Sequence, residues 1–136
     1  IEYVPKQTDR DQWNEELANK LASYKPDLVV SAGFMRIIGP RVVERFEGKI
    51  INTHPALLPA FPGAHAVEDA LNYGVRVTGS TVHVVDSGVD TGPIIAQKAV
   101  EVAGDDTVDS LHERIKKVER ALLVEVLHDF SDQRIF

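Results

Sequence analysis

The sequence predicts an α/β fold: a three-layer sandwich with helices on both sides of a mostly parallel sheet, and an antiparallel strand pair toward the C-terminal part. Three observations carry that prediction. Helical and strand patterns alternate along the chain. Short runs such as Leu28-Val29-Val30 and Ile50-Ile51 are apolar on consecutive residues, as in strands buried on both faces. Two further strand patterns, 75–85 and 94–102, are separated only by a Gly- and Asp-rich turn, which suits antiparallel neighbours.

Taken in order, residues 1–4 suit a short strand that Pro5 stops. A helix is expected over 9–24, where Trp13, Leu17, Leu21 and Tyr24 recur at helical spacing between charges. Pro26 and Asp27 mark a turn before the strand at 28–32. Pro40 suits the first turn of a helix that ends near Gly48. The next strand holds Ile50 and Ile51 and is expected to end at Asn52. Pro55, Pro59 and Pro62 then forbid a regular helix or central strand, so 53–63 reads as a loop. A helix over 64–73 has Gly74 as its stop. After the strand pair, Asp106 or Thr107 can cap a long final helix, whose apolar stripe is Val108, Leu111, Ile115, Val118, Leu122 and Val126.

The composition excludes several functions. At 136 residues, the chain suits one domain, able to bury a core without staples. No apolar run approaches the ~20 residues of a membrane span. The formal charge of −6 disfavours a generic nucleic-acid surface, which needs excess Lys and Arg. The absence of cysteine removes disulfides, thiolate metal sites and a thiol nucleophile.

In open α/β sheets, ligands collect beyond the carboxyl ends of the strands. Asn52 and His54 fall there after the Ile50-Ile51 strand, and Asp86 and Asp90 fall in the turn after 75–85. A neutral amide, an imidazole and a carboxylate suit attack of an amine on a carbonyl. One group orients the nucleophile, one holds the oxyanion, and one manages the proton. Singly, each has a plainer role. A lone His after a strand is commonly structural, and Asn and Asp beside Gly and Pro are commonly turn residues.

Two longer patterns favour the chemical reading. They are Asn52-x-His54-Pro55-x-Leu57-Leu58-Pro59 and Gly79-x-Thr81-Val82-His83-Val84-Val85-x-x-Gly88-Val89-Asp90-x-Gly92-Pro93. Together, at this spacing, they resemble the two signature segments of the formyltetrahydrofolate-dependent transferases and hydrolases. Ala60-Phe61-Pro62-Gly63, Gly33-Phe34-Met35-Arg36-Ile37 and Leu111-His112-Glu113-Arg114-Ile115 favour the branch that acts on glycinamide ribonucleotide. The resemblance runs from about residue 9 to the end of the chain.

The resemblance implies a cytoplasmic enzyme of purine biosynthesis. It would transfer a formyl group from the co-substrate 10-formyltetrahydrofolate to the amine of glycinamide ribonucleotide, without a metal and without nucleic-acid or membrane partners. Asn52, His54 and Asp90 match the family's catalytic trio. Phe34, Arg36, Ile37 and Ile38 match one wall of the folate pocket. Val85, Asp86, Ser87, Gly88, Val89 and Asp90 match its other side. Met35, Pro55, Lys116 and Glu119 match the nucleotide side, with Glu119 on the ribose hydroxyls and Lys116 near the phosphate. His83 lies inside the signature as a supporting residue.

Some positions depart from the pattern. Ala56 stands where many relatives have Ser, and Ser87 where an acid is common. Relatives open with a βαβ unit whose Gly/Ser-rich loop cradles phosphate through backbone N–H groups. No such loop occurs in the sequence, so the expectation is one domain, 1–136, lacking the N-terminal nucleotide-binding unit. Such a chain would bind the nucleotide weakly or not at all by itself. Its sheet would expose an edge, to be covered by a homodimer or a complementing N-terminal segment. Rival readings are a formyltetrahydrofolate hydrolase, a non-catalytic folate-binding fragment, and a metal hydrolase using His54, His83 and Asp90. The last lacks a helical His pair.

Overall fold

A computed structural model of the chain describes residues 10–31, 40–86, 88 and 90–132. The strand expected at 1–4 and the segment 33–38 lie outside these residues. The elements follow as α1 (Arg10–Ser23), β1 (Val29–Ser31), α2 (Pro40–Arg45), β2 (Ile50–His54), α3 (Ala66–Tyr73), β3 (Val77–Val84), β4 (Ile94–Glu101) and α4 (Val108–Ser131).

The strands form one sheet in the order β1-β2-β3-β4. β1 and β2 are parallel, while β2–β3 and β3–β4 are antiparallel. The expected antiparallel pair is therefore present as β3–β4. The reversal begins one strand earlier than the sequence suggests, so the described sheet is mixed rather than mostly parallel. The register explains the difference. His54, the last residue of β2, lies opposite Thr81, with the start of β3 beyond it. The proline-rich loop and the short α3 turn the chain back at that end of the sheet, where a longer crossover would have made the strands parallel.

The two isoleucines of β2 define the layers, because side chains alternate across a strand. Ile50 packs with Leu17, Ala18, Val42 and Phe46 from α1 and α2. Ile51 packs with Val82, Leu122 and Val126, on the side that α4 covers. Helices thus lie on both faces, and consecutive apolar residues were the correct sign of it. A third cluster joins Val67 of α3, Val100 of β4, and Leu111 and Ile115 of α4. Of the expected α4 stripe, Leu111, Ile115, Leu122 and Val126 are buried and Val118 is half-buried; Val108, the first residue of the helix, is 38% exposed.

The helix ends follow local chemistry. Gly74 takes the left-handed conformation at φ 88° and donates to the carbonyls of Ala70 and Leu71. Thr107 caps α4 in a reciprocal box with Ser110. Asp106 stands beside that cap rather than forming it. Its two carboxylate oxygens accept from both guanidinium ends of Arg114, at 2.6 and 2.7 Å, and Arg114 also donates to the Glu101 carbonyl at 2.6 Å. This fork ties the start of α4 to the end of β4.

Arg114, followed by the Ser110 hydroxyl, holds the Asp106 carboxyl well below its ordinary value of 3.8. A depressed carboxylate stabilises the fold above its unfolded pKa and loses that contribution as the pH falls toward the folded one. Thermal unfolding followed from pH 7 down to pH 3 should therefore show a steeper loss of Tm below about pH 4 in the unaltered chain than in Asp106→Asn. Equal acid slopes would exclude the fork as an acid-sensitive tie.

Candidate active site

The site begins with where β2 ends. The expectation that the strand stops at Asn52 is corrected by the structure: Asn52, Thr53 and His54 continue the ladder, opposite His83, Val82 and Thr81. Pairing with β3 satisfies the backbones of these polar residues. Alternation places Asn52 and His54 on the Ile50 face, and directly paired His83 and Thr81 share that face. A register irregularity between β3 and β4 falls at Val82/His83, beside this cluster.

His54 is buried, at 4% exposure, and both ring nitrogens face acceptors. Nε2 lies 2.8 Å from the carbonyl oxygen of Phe61. A carbonyl only accepts, so Nε2 carries the hydrogen. Nδ1 then faces Oδ2 of Asp90 at 3.4 Å. The contact thus joins a proton carrier to a proton acceptor.

Asp90 is held from several sides. Oδ2 accepts from the backbone N–H of Gly63 at 2.8 Å. Oδ1 faces Nε2 of His83 at 3.6 Å, a charge contact longer than a hydrogen bond. The Nδ1 of His83 meets the Val84 carbonyl at 3.1 Å, so its hydrogen lies there. Each carboxylate oxygen therefore has its own imidazole. Asp90 and Phe61 both adopt positive φ, at 55° and 51°. Such backbone is uncommon away from glycine. Here it occurs at the residue supplying the carboxylate and at the residue supplying the carbonyl.

The loop between β2 and α3 is built to present that carbonyl. Its Leu58–Pro59 bond is cis. The Phe61 ring meets Tyr73 of α3 edge-on at 5.8 Å. The side chain of Asn52, by contrast, takes no hydrogen bond among the described residues and is half-buried.

Other residues singled out by sequence fall as follows. Asp86 serves its own turn: its carboxylate accepts from the Thr91 hydroxyl at 2.7 Å and the Gly88 N–H at 2.9 Å, which hold it below the ordinary carboxylate range. Val85 packs against the α1–α2 core, and Pro55 is half-buried at the end of β2. Lys116 lies on α4, where its ammonium reaches Glu113 at 3.4 Å. Glu119 is half-buried on the same helix. No described contact connects Lys116 or Glu119 to the His54–Asp90 cluster. Phe34, Met35, Arg36, Ile37, Ile38, Ser87 and Val89 lie outside the described residues. Among the described residues, no group of three or more His, Asp or Glu side chains is arranged to hold a metal ion, and no helix is long and apolar enough to cross a membrane.

Sequence reasoning missed two backbone contributors, the Phe61 carbonyl and the Gly63 N–H. Both belong to the Ala60-Phe61-Pro62-Gly63 segment, but a backbone group leaves no mark in side-chain identity.

Fold and site together define an α/β protein in which a buried imidazole and a carboxylate meet, on the face of β2 that also carries Asn52. The chain belongs to the formyl transferase family, whose pattern matches residues 4–127. It is 62% identical over 115 residues to the phosphoribosylglycinamide formyltransferase of Mycobacterium tuberculosis, covering 85% of this chain and 54% of that protein. It superposes with a TM-score of 0.91 on the glycinamide ribonucleotide transformylase 1 of Symbiobacterium toebii, at 44% identity, covering 94% of this chain and 60% of the other. A formyltetrahydrofolate deformylase from Pseudomonas syringae gives a TM-score of 0.88 at 30% identity, with 94% and 43% coverage. The chain thus spans about half the length of the M. tuberculosis enzyme.

Proposed function

We propose that this chain carries the catalytic half of an enzyme that moves a formyl group from 10-formyltetrahydrofolate to the amine of glycinamide ribonucleotide. The observation that carries the reading is the His54–Asp90 contact, 3.4 Å between Nδ1 and Oδ2, with Asn52 on the same face of β2 as His54 and without a side-chain hydrogen bond among the described residues. The neutral amine attacks the formyl carbon, forming a C–N bond and placing negative charge on the formyl oxygen. Asn52 donates to that oxygen, and His54 adds positive charge or a proton through Nδ1. Asp90 keeps the imidazole oriented and takes up the proton that the attacking amine loses. The carbon–N10 bond then breaks, and N10 leaves with a proton, so the charges balance.

The folate side would be formed by the turn 85–90 and the segment 34–38, and the nucleotide side by Met35, Pro55, Lys116 and Glu119. The reaction uses soluble metabolites, which suits a cytoplasmic enzyme, and the proposed chemistry needs no metal. Among the described residues β1 is an edge strand, and a complementing strand or a second copy of the chain would add there.

Incubating the chain with 10-formyltetrahydrofolate, with and without glycinamide ribonucleotide, tests the reading. Formylated nucleotide as the main product supports it, whereas free formate at the same rate in both samples assigns the hydrolase reaction. The higher identity to the transferase, 62% against 30% for the deformylase, favours transfer.

A further inference from the structure

Gln97 sits on β4, opposite Thr81, outside both sequence signatures and away from the acid–base cluster. Its amide nitrogen nevertheless donates twice toward the loop that carries Phe61. One bond reaches the Leu58 carbonyl at 2.8 Å, and the other reaches the Thr81 hydroxyl at 3.1 Å. The Leu58 carbonyl can only accept, so the amide nitrogen rather than its oxygen must face it.

Thr81 completes the connection. Its fully buried hydroxyl donates to the Ala56 carbonyl at 2.7 Å and accepts from the Leu58 N–H at 3.1 Å. With the bond from Gln97, its single donor and both acceptor positions are used. The Ala60 N–H then bonds the Leu57 carbonyl at 3.0 Å, closing the turn that delivers Phe61. The chain of contacts runs from Gln97 through Thr81 to residues 56–60, then to the Phe61 carbonyl and His54 Nε2.

We propose that Gln97 is a positioning residue for the formyl-transfer reaction: by clamping residues 56–58 to the sheet, it sets the Phe61 carbonyl that fixes the hydrogen of His54 on Nε2 and leaves Nδ1 as the working nitrogen. The catalytic part of this inference rests on the proposed function, but the clamp itself does not. Two variants separate the causes. Gln97→Glu keeps the shape but turns both donors into acceptors. Gln97→Met keeps the length and removes hydrogen bonding.

The deciding measurement is a long-range ¹H–¹⁵N spectrum of the ¹⁵N-histidine-labelled chain, which reports which ring nitrogen of His54 carries hydrogen. In the unaltered chain, the hydrogen is expected on Nε2. In both variants, the His54 signals should move toward an average of the two tautomers. Turnover should fall by about 10-fold with KM changed by less than about 2-fold, because orientation rather than binding is lost. Unchanged His54 signals in either folded variant would overturn the proposal. Unfolding of both variants would overturn it too, by assigning Gln97 to stability. Shifted His54 signals in a chain whose unaltered form transfers no formyl group would uphold the clamp and reject the proposed reaction.

Discussion

Replacing His54 by alanine should lower formyl transfer by about 10²–10³-fold, the usual loss when one preorganised group at a developing oxyanion is removed. The change deletes a buried ring flanked by the Phe61 carbonyl and the Asp90 carboxylate. Asp90 keeps its bond from the Gly63 N–H and its contact with His83, so the turn retains two of its ties. The variant should therefore remain folded, with kcat/KM falling mainly through kcat. Steady-state kinetics beside a thermal melt checks both parts. Near-full turnover in a folded His54→Ala chain would remove the amide, imidazole and carboxylate grouping from consideration.

The His54–Asp90 pair was legible from sequence because it rests on side-chain identity. Asn52, His54 and Asp90 stand out as polar residues among apolar strands and tight turns. The layers were legible for a similar reason: Ile50 and Ile51 point to opposite helices, so an uninterrupted apolar pair signalled burial on both faces. The direction of β3 was less accessible. A strand, helix, strand order suggests a parallel crossover, and nothing in residue type indicates that a proline-rich loop returns the chain at the same end of the sheet. The end of β2 was misplaced because polarity is a poor guide to strand termination where the partner strand also presents polar groups. His83 and Thr81 lie directly opposite Asn52 and His54. The Phe61 carbonyl and Gly63 N–H were hidden altogether, since any residue but proline carries both groups. Their positions depend on left-handed backbone at Phe61 and Gly63, which only coordinates reveal.

The turn that delivers Asp90 has its own sequence requirement, and Gly92 carries it. A side chain added at Gly92 would collide with the carbonyl oxygen of Val84 and lie 2.8 Å from its carbonyl carbon. Both are backbone atoms of β3, where the Val84 N–H also bonds the Pro93 carbonyl at 2.8 Å. A flexible side chain could swing away, but a paired strand cannot. Gly92→Ala should therefore cost near the upper end of the range for overpacking, ~3 kcal/mol. For a domain of this size, that lowers Tm by roughly 10 °C. Relief requires the turn to open, which carries Asp90 away from His54, so activity should fall beyond what partial unfolding explains. Gly104→Ala supplies the control, because no atom lies within 4 Å of its added carbon. Melting curves of the two variants, with turnover measured well below both midpoints, separate the effects. A Gly92→Ala chain that melts with the unaltered one and retains its turnover would mean that the β3–β4 turn tolerates the displacement. The placement of Asp90 would then not depend on the close approach of Gly92 to β3.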